Sequence, residues 1–182
     1  MRVAAYNVEW FDALFDDDGK LLADDARSGR HGVTRFEQAT ALGIVFTALD
    51  ADAMLVVEAP DSHRGRDGVR ALETFAATYG LRTRRALMGF VNHTQQEIAL
   101  LYDPDAVSAR HDPRGGLSEQ DGEPPRFDHQ FRIDLDVDDR VDRVAFSKPP
   151  LEVALTPKRG GLRIRLIGVH LKSKAPHGAR DR

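Results

Sequence analysis

Met54-Leu55-Val56-Val57 runs straight into Glu58, and these five residues restrict the fold of the chain more than any others. A strand sends successive side chains to opposite faces, so an unbroken apolar run must be covered on both. Two helical patterns flank the run. Residues 34–49 open with the capping box Thr34-Arg35-Phe36-Glu37. They place Phe36, Ala39, Leu42, Val45, Phe46 and Leu49 at helical spacing. Residues 68–79 follow Asp67, a fair N-cap, carry Val69, Leu72, Phe75, Ala76 and Tyr79, and stop at Gly80. Strands between helices predict an α/β fold (α+β by some schemes). Glu58, at the tip of a buried strand, is costly unless it is paired or bound to a cation.

The remaining pattern supplies more strands. Residues 3–10 read as the first, with Asn7 out of place because Asn is depleted in strands. It fits a strand end bonded to a neighbouring loop. Residues 81–87, 97–102, 141–146, 151–155 and 162–171 read as further strands. Residues 127–137 alternate apolar and polar, which predicts a strand with one wet face. Residues 12–32 and 103–125 read as loops. The spacing Asp134, Asp136, Asp138 mimics a calcium loop, but Asp139 stands where glycine is needed and Ala145 where glutamate is needed. That site is rejected.

At 182 residues with 41% hydrophobic content the chain is expected to form a single domain, 1–182, with its own core. A net charge of -3 argues against broad binding to polyanions. The absence of cysteine excludes disulfides, thiolate catalysis and Cys-ligated zinc. No run approaches the ~20 apolar residues of a membrane span, and no signal peptide is recognised, so a cytoplasmic protein is expected.

Ile164, Leu166, Gly168, His170 and Lys172 share one face of the late strand, with Ile167, Val169 and Leu171 on the other. That reads as a strand buried on both sides. A histidine near its end, followed by Lys172-Ser173-Lys174, fits two roles. It is either a core histidine bonded to backbone, with solvated lysines beyond it, or a phosphate ligand and proton donor.

Asn7 in a first strand and Glu58 ending a second precede Ser147-Lys148-Pro149-Pro150-Leu151-Glu152-Val153 and Val169-His170-Leu171-Lys172-Ser173-Lys174. In this order, over nearly the whole chain, they resemble the endonuclease/exonuclease/phosphatase superfamily, whose members include deoxyribonuclease I-like enzymes. The resemblance implies a four-layer αββα sandwich. It implies that Asn7 and Glu58 hold a magnesium (or manganese) ion and that His170 contacts or protonates a phosphate. Lys148, where the family usually has arginine, and Lys172 would bind phosphate oxygens. The family's Asp-x-Asn motif and closing Asp-His pair do not follow His170 in this sequence.

The chain is therefore expected to be the N-terminal portion of such a domain, with the second half missing. Its expected function is that of a magnesium-dependent phosphoester hydrolase, a nuclease or phosphatase, inactive in this form and binding metal weakly. The alternatives are a non-enzymatic remnant that binds phosphate or a partner, and an unrelated α/β domain in which these residues are scattered. Arg64, Arg66, Arg70, Arg82, Arg84 and Arg85 are candidates for a basic rim that would take nucleic acid. Self-association is expected through a sheet face that the two helices cannot cover.

Overall fold

The computed structural model describes residues 1–30, 32–63, 65–91, 97–116, 124–134 and 137–171. Strand β1 (Val3–Asn7) pairs in parallel with β2 (Ala53–Ala59), and helix α1 (Arg35–Leu49) lies between them in sequence. Helix α2 (Gly68–Thr78) follows, then β3 (Arg85–Met88) and β4 (Glu97–Tyr102). These strands form a four-stranded sheet in the order β1-β2-β4-β3. Strands β5 (Val107–His111), β8 (Leu151–Pro157) and β9 (Ile164–Gly168) form a second, antiparallel sheet. Between them in sequence, β6 (Phe131–Ile133) and β7 (Asp142–Val144) make a two-stranded ribbon. Mixed helix and strand make this an α/β chain in the broad sense.

Both helices start where capping predicts. Thr34 accepts from the Glu37 amide while Glu37 reaches back to the Thr34 amide, the reciprocal pair of a capping box. Asp67 accepts from the Arg70 amide. The inner faces of the helices, with Phe46, Leu72 and Phe75, pack on Met54, Val56, Ala99 and Leu101. Phe75 sits at the centre of this layer, its ring 5.0 Å from Phe11 and 5.5 Å from Phe46 in edge-on contacts. Phe36, expected on the buried stripe, is exposed because it occupies the first turn of α1.

The opposite face of the sheet is covered by this chain itself. Ala53, Leu55, Val57, Ile98 and Leu100 pack against Val107, Leu151, Val153 and Leu155. The expectation that this face lies bare beyond the two helices is therefore corrected for β2 and β4. It holds only along β1, where Val3 and Ala5 face the same way as Ala53 and Leu55 and stay exposed. Strand β9 is likewise an edge. Ile164 and Leu166 pack inward, but Ile167 is 52% exposed, so the strand is not buried on both sides.

Two other expectations change. Residues 107–111, read as loop, form β5: Val107 and Ala109 reach the core while Ser108 and Arg110 stay out. Within 127–137 only Phe131–Ile133 is strand, and residues 135 and 136 lie outside the described residues. The phenylalanines of that stretch serve a local cluster instead, with Phe127 and Phe131 both packed edge-on to Phe146.

One glycine sets how the two sheets meet. A Cβ on Gly168 would lie 2.4 Å from Leu55 Cδ1 and 3.2 Å from its Cγ, so β9 reaches β2 only because residue 168 has no side chain. Gly168→Val is expected to lower stability by about 1–3 kcal/mol through overpacking. Trimming Leu55 to alanine in the same chain should recover part of that loss. Urea denaturation checks both, and additive losses in the double variant would contradict this contact.

Candidate functional site

Strand β1 ends at Asn7, β2 at Glu58 and Ala59, and β9 two residues before His170. All three chain ends open at the same rim. Asn7, Glu9, Trp10, Val57, Glu58, Lys148, Val169, His170 and Leu171 line a cleft of about 610 Å3 there. The rim is the C-terminal edge of the parallel pair, which the Val8 N–H bond to the Val57 carbonyl at 3.0 Å closes.

Glu58 reaches this cleft by leaving the strand pattern. Simple alternation would send it with Met54 and Val56 toward the helices. Instead Glu58 adopts φ 60°, and the ladder to β4 slips between Val57 and Ala59. A bulge of this kind re-aims a side chain, and a non-glycine residue with positive φ marks local strain. The carboxylate then receives the Asn7 amide nitrogen at 3.3 Å on Oε1 and the Trp10 backbone N–H at 3.3 Å on Oε2. Asn7 Oδ1 accepts from the Glu9 backbone N–H at 3.0 Å. Glu9 and Trp10 also have positive φ, 57° and 60°, so the chain turns sharply out of β1 instead of continuing to residue 10. A short 3-10 turn over Phe11–Leu14 follows and buries Phe11 and Leu14 in the core.

His170 and Lys148 complete the opposite wall. His170 Nε2 lies 3.5 Å from Glu58 Oε1 and 3.3 Å from Lys148 Nζ. The side chains of His170 and Glu58 are only 10% and 14% exposed. An ammonium can only donate and a carboxylate can only accept, so Nε2 faces a donor in Lys148 and an acceptor in Glu58. Nδ1 is itself buried without a hydrogen-bond partner. Burial, then the Lys148 charge, holds the His170 pKa below its ordinary value, and the attraction of Glu58 does not reverse this. Burial also lowers the Lys148 pKa, against the pull of Glu58.

The structure thus brings together Asn7, Glu58, Lys148 and His170. Lys172 lies outside the described residues. Of the arginines expected as a rim, Arg66, Arg70, Arg82, Arg84 and Arg85 do not line this cleft. Arg82 binds Asp50, Asp52 and Asp103 at 2.6–2.9 Å at the other end of β2 and β4, and Arg84 binds Asp105 at 2.7 Å. Arg85 pairs with Glu73, Arg66 pairs with Asp12 and Asp17, and Arg64 is outside the described residues. Among the described residues, no group of three or more His, Asp or Glu side chains is arranged to hold a metal ion. Asn7 and Glu58 offer hard oxygen atoms that suit magnesium. The Asn7 oxygen already accepts from the Glu9 amide, which leaves its second lone pair for a cation.

Sequence reasoning passed over Trp10 and Glu9. Trp10 has a signal in the sequence: it is the one tryptophan of the chain, three residues after Asn7 and just beyond a strand.

No family model matches the chain, and no curated protein or solved structure matches it either.

The ring environment predicts a pH response. Because the folded ring resists protonation, His170 costs stability once pH falls below about 6.5, where the unfolded chain takes up the proton. In an NMR titration His170 should titrate below free histidine. Lys148→Met should raise its pKa, and Glu58→Gln should lower it further. A pKa at or above that of free histidine, or one indifferent to both changes, would contradict this geometry.

Proposed function

We propose that this chain carries the phosphate- and metal-binding wall of a magnesium-dependent phosphoester hydrolase, a nuclease or phosphatase, of the superfamily it resembles. The observation that carries this reading is convergence. Four residues from four separate segments, Asn7, Glu58, Lys148 and His170, meet on one cleft although 163 residues separate the first from the last. On this reading the helix layer and the two sheets belong to a four-layer αββα sandwich. Among the described residues β1 and β9 are edge strands with Val3 and Ile167 exposed, which leaves place for further strands beyond them.

Each side chain has a separate task. Lys148 would hold a phosphate oxygen as a compact point charge. A phosphate beside His170 would bring negative charge to a ring that burial and Lys148 keep neutral, raising its proton affinity and making it a donor to the phosphate. Glu58 and Asn7 would hold the cation, whose chemistry is to neutralise a phosphoryl oxygen and acidify bound water. Trp10 and Asn7 restrain Glu58 through their N–H groups.

A phosphate-binding module without turnover is the second reading. It is favoured by the carboxylates of the described cleft. Glu58 faces His170, and Glu9 is engaged with Arg30 at 3.4 Å. Neither is left to orient an attacking water.

Inorganic phosphate should shift the His170 ring signals in NMR, and magnesium should tighten that binding. Lys148→Ala should weaken phosphate binding about tenfold, in line with loss of a charged hydrogen bond, and Glu58→Ala should remove the magnesium effect. His170 signals unmoved by phosphate would end both readings. Turnover of bis-nitrophenyl phosphate above background, lost in His170→Ala, would favour the hydrolase over the module.

A further inference from the structure

Trp10 lines the cleft and is 52% exposed. A ring of this size would contribute to stability if buried. The surroundings hold this one in place instead. Its backbone has φ 60° and ψ 35°, preceded by Glu9 in the same left-handed region. Its N–H is tied to Glu58, and its carbonyl accepts from Ala13 at 3.1 Å. A Cβ on Gly29 would come within 2.4 Å of Trp10 Cβ and 2.7 Å of Cγ, so this glycine lets a second backbone segment support the root of the indole. Two strained residues and a glycine support thus fix a flat apolar surface next to the carboxylate, lysine and histidine of the site. Strain of this sort persists where the geometry is used.

We infer that Trp10 is a stacking platform for a nucleobase, and that the phosphoester bound in this cleft is a nucleotide or a nucleic-acid strand end. This rests on the reading of the cleft as a phosphate site. The indole supplies a face for a flat, π-rich ring, and stacking of a base on an aromatic side chain tolerates any base. Charge on the rim separates this from a cationic headgroup, which an indole also attracts. Arg30, next to the supporting Gly29, brings its guanidinium to Glu9, the residue before Trp10. The carboxylate next in chain to the indole is thereby already matched, which leaves it less to offer an ammonium.

Trp10 is the chain's single tryptophan, so its fluorescence reports this spot alone. Deoxyadenosine monophosphate should quench it saturably, whereas ribose 5-phosphate and phosphocholine should leave it nearly unchanged. In calorimetry or NMR on the same full chain, Trp10→Ala should weaken deoxyadenosine monophosphate about tenfold while leaving ribose 5-phosphate unaffected, and Trp10→Phe should restore most of the loss. If ribose 5-phosphate shifts His170 but deoxyadenosine monophosphate binds no tighter, the phosphate site stands and the base platform is refuted. Equal or stronger quenching by phosphocholine refutes it in favour of a cationic headgroup. If none of the three ligands moves His170, the reading of the cleft falls first and the platform with it.

Discussion

The left-handed bulge at Glu58 is what the site depends on. A glutamate in register at the end of a buried parallel strand would point with Met54 and Val56 into the helix-packed layer, where an unpaired charge is costly. Positive φ at one residue turns the carboxylate into the cleft. Three positive-φ residues, Glu9, Trp10 and Glu58, sit within hydrogen-bond reach of one another or next in chain. The Glu58–Trp10 and Asn7–Glu9 bonds hold that strained turn and that bulge against each other. Their purpose is local, because the same strands run with ordinary geometry through the core.

Inter-sheet packing supplies the second half of the arrangement. Val57 and Leu55 carry the first sheet against Leu151, Val153 and Leu155. Gly168 against Leu55 brings β9 close over β2, so His170, two residues on, faces Glu58. Lys148 enters from the turn before β8, just ahead of Pro149 and Pro150, which lock the approach to that strand. A shift of either sheet by one residue would reverse which side chains face the cleft. The aspartate network around Arg82 ties the opposite ends of α1, β2 and β4 and leaves the cleft rim free of those arginines.

Much of this was legible in the sequence, for physical reasons. The capping box at Thr34, the N-cap at Asp67 and the apolar run before Glu58 each depend on near neighbours, and all three appear where the local chemistry puts them. Strand β4 was legible because Ile98-Ala99-Leu100-Leu101 must be covered on both faces. Strand β5 was not, since Val-Ser-Ala-Arg-His has too little apolar area to announce itself and is a strand only because β8 pairs with it. The alternation after Phe127 was over-read for the opposite reason: aromatic clustering produced a strand-like pattern. The two-sided apolar character of residues 164–171 signalled burial, but Ile167 has no layer over it among the described residues. As for the site, residue types in or at the ends of strands singled out Asn7, Glu58 and His170, and the family resemblance added Lys148. The bulge at Glu58 and the left-handed backbone at Trp10 were beyond reach, because a positive φ at glutamate or tryptophan has no sequence signature.

A crystal structure of the chain grown with magnesium and a non-hydrolysable phosphorothioate ester tests the site most directly. The convergence described above predicts the phosphorothioate between Lys148 Nζ and His170 Nε2, with the cation on Glu58. A cleft empty at saturating ester, with the anion instead in the second cleft beside Arg159 at the far end of the sheets, would contradict it.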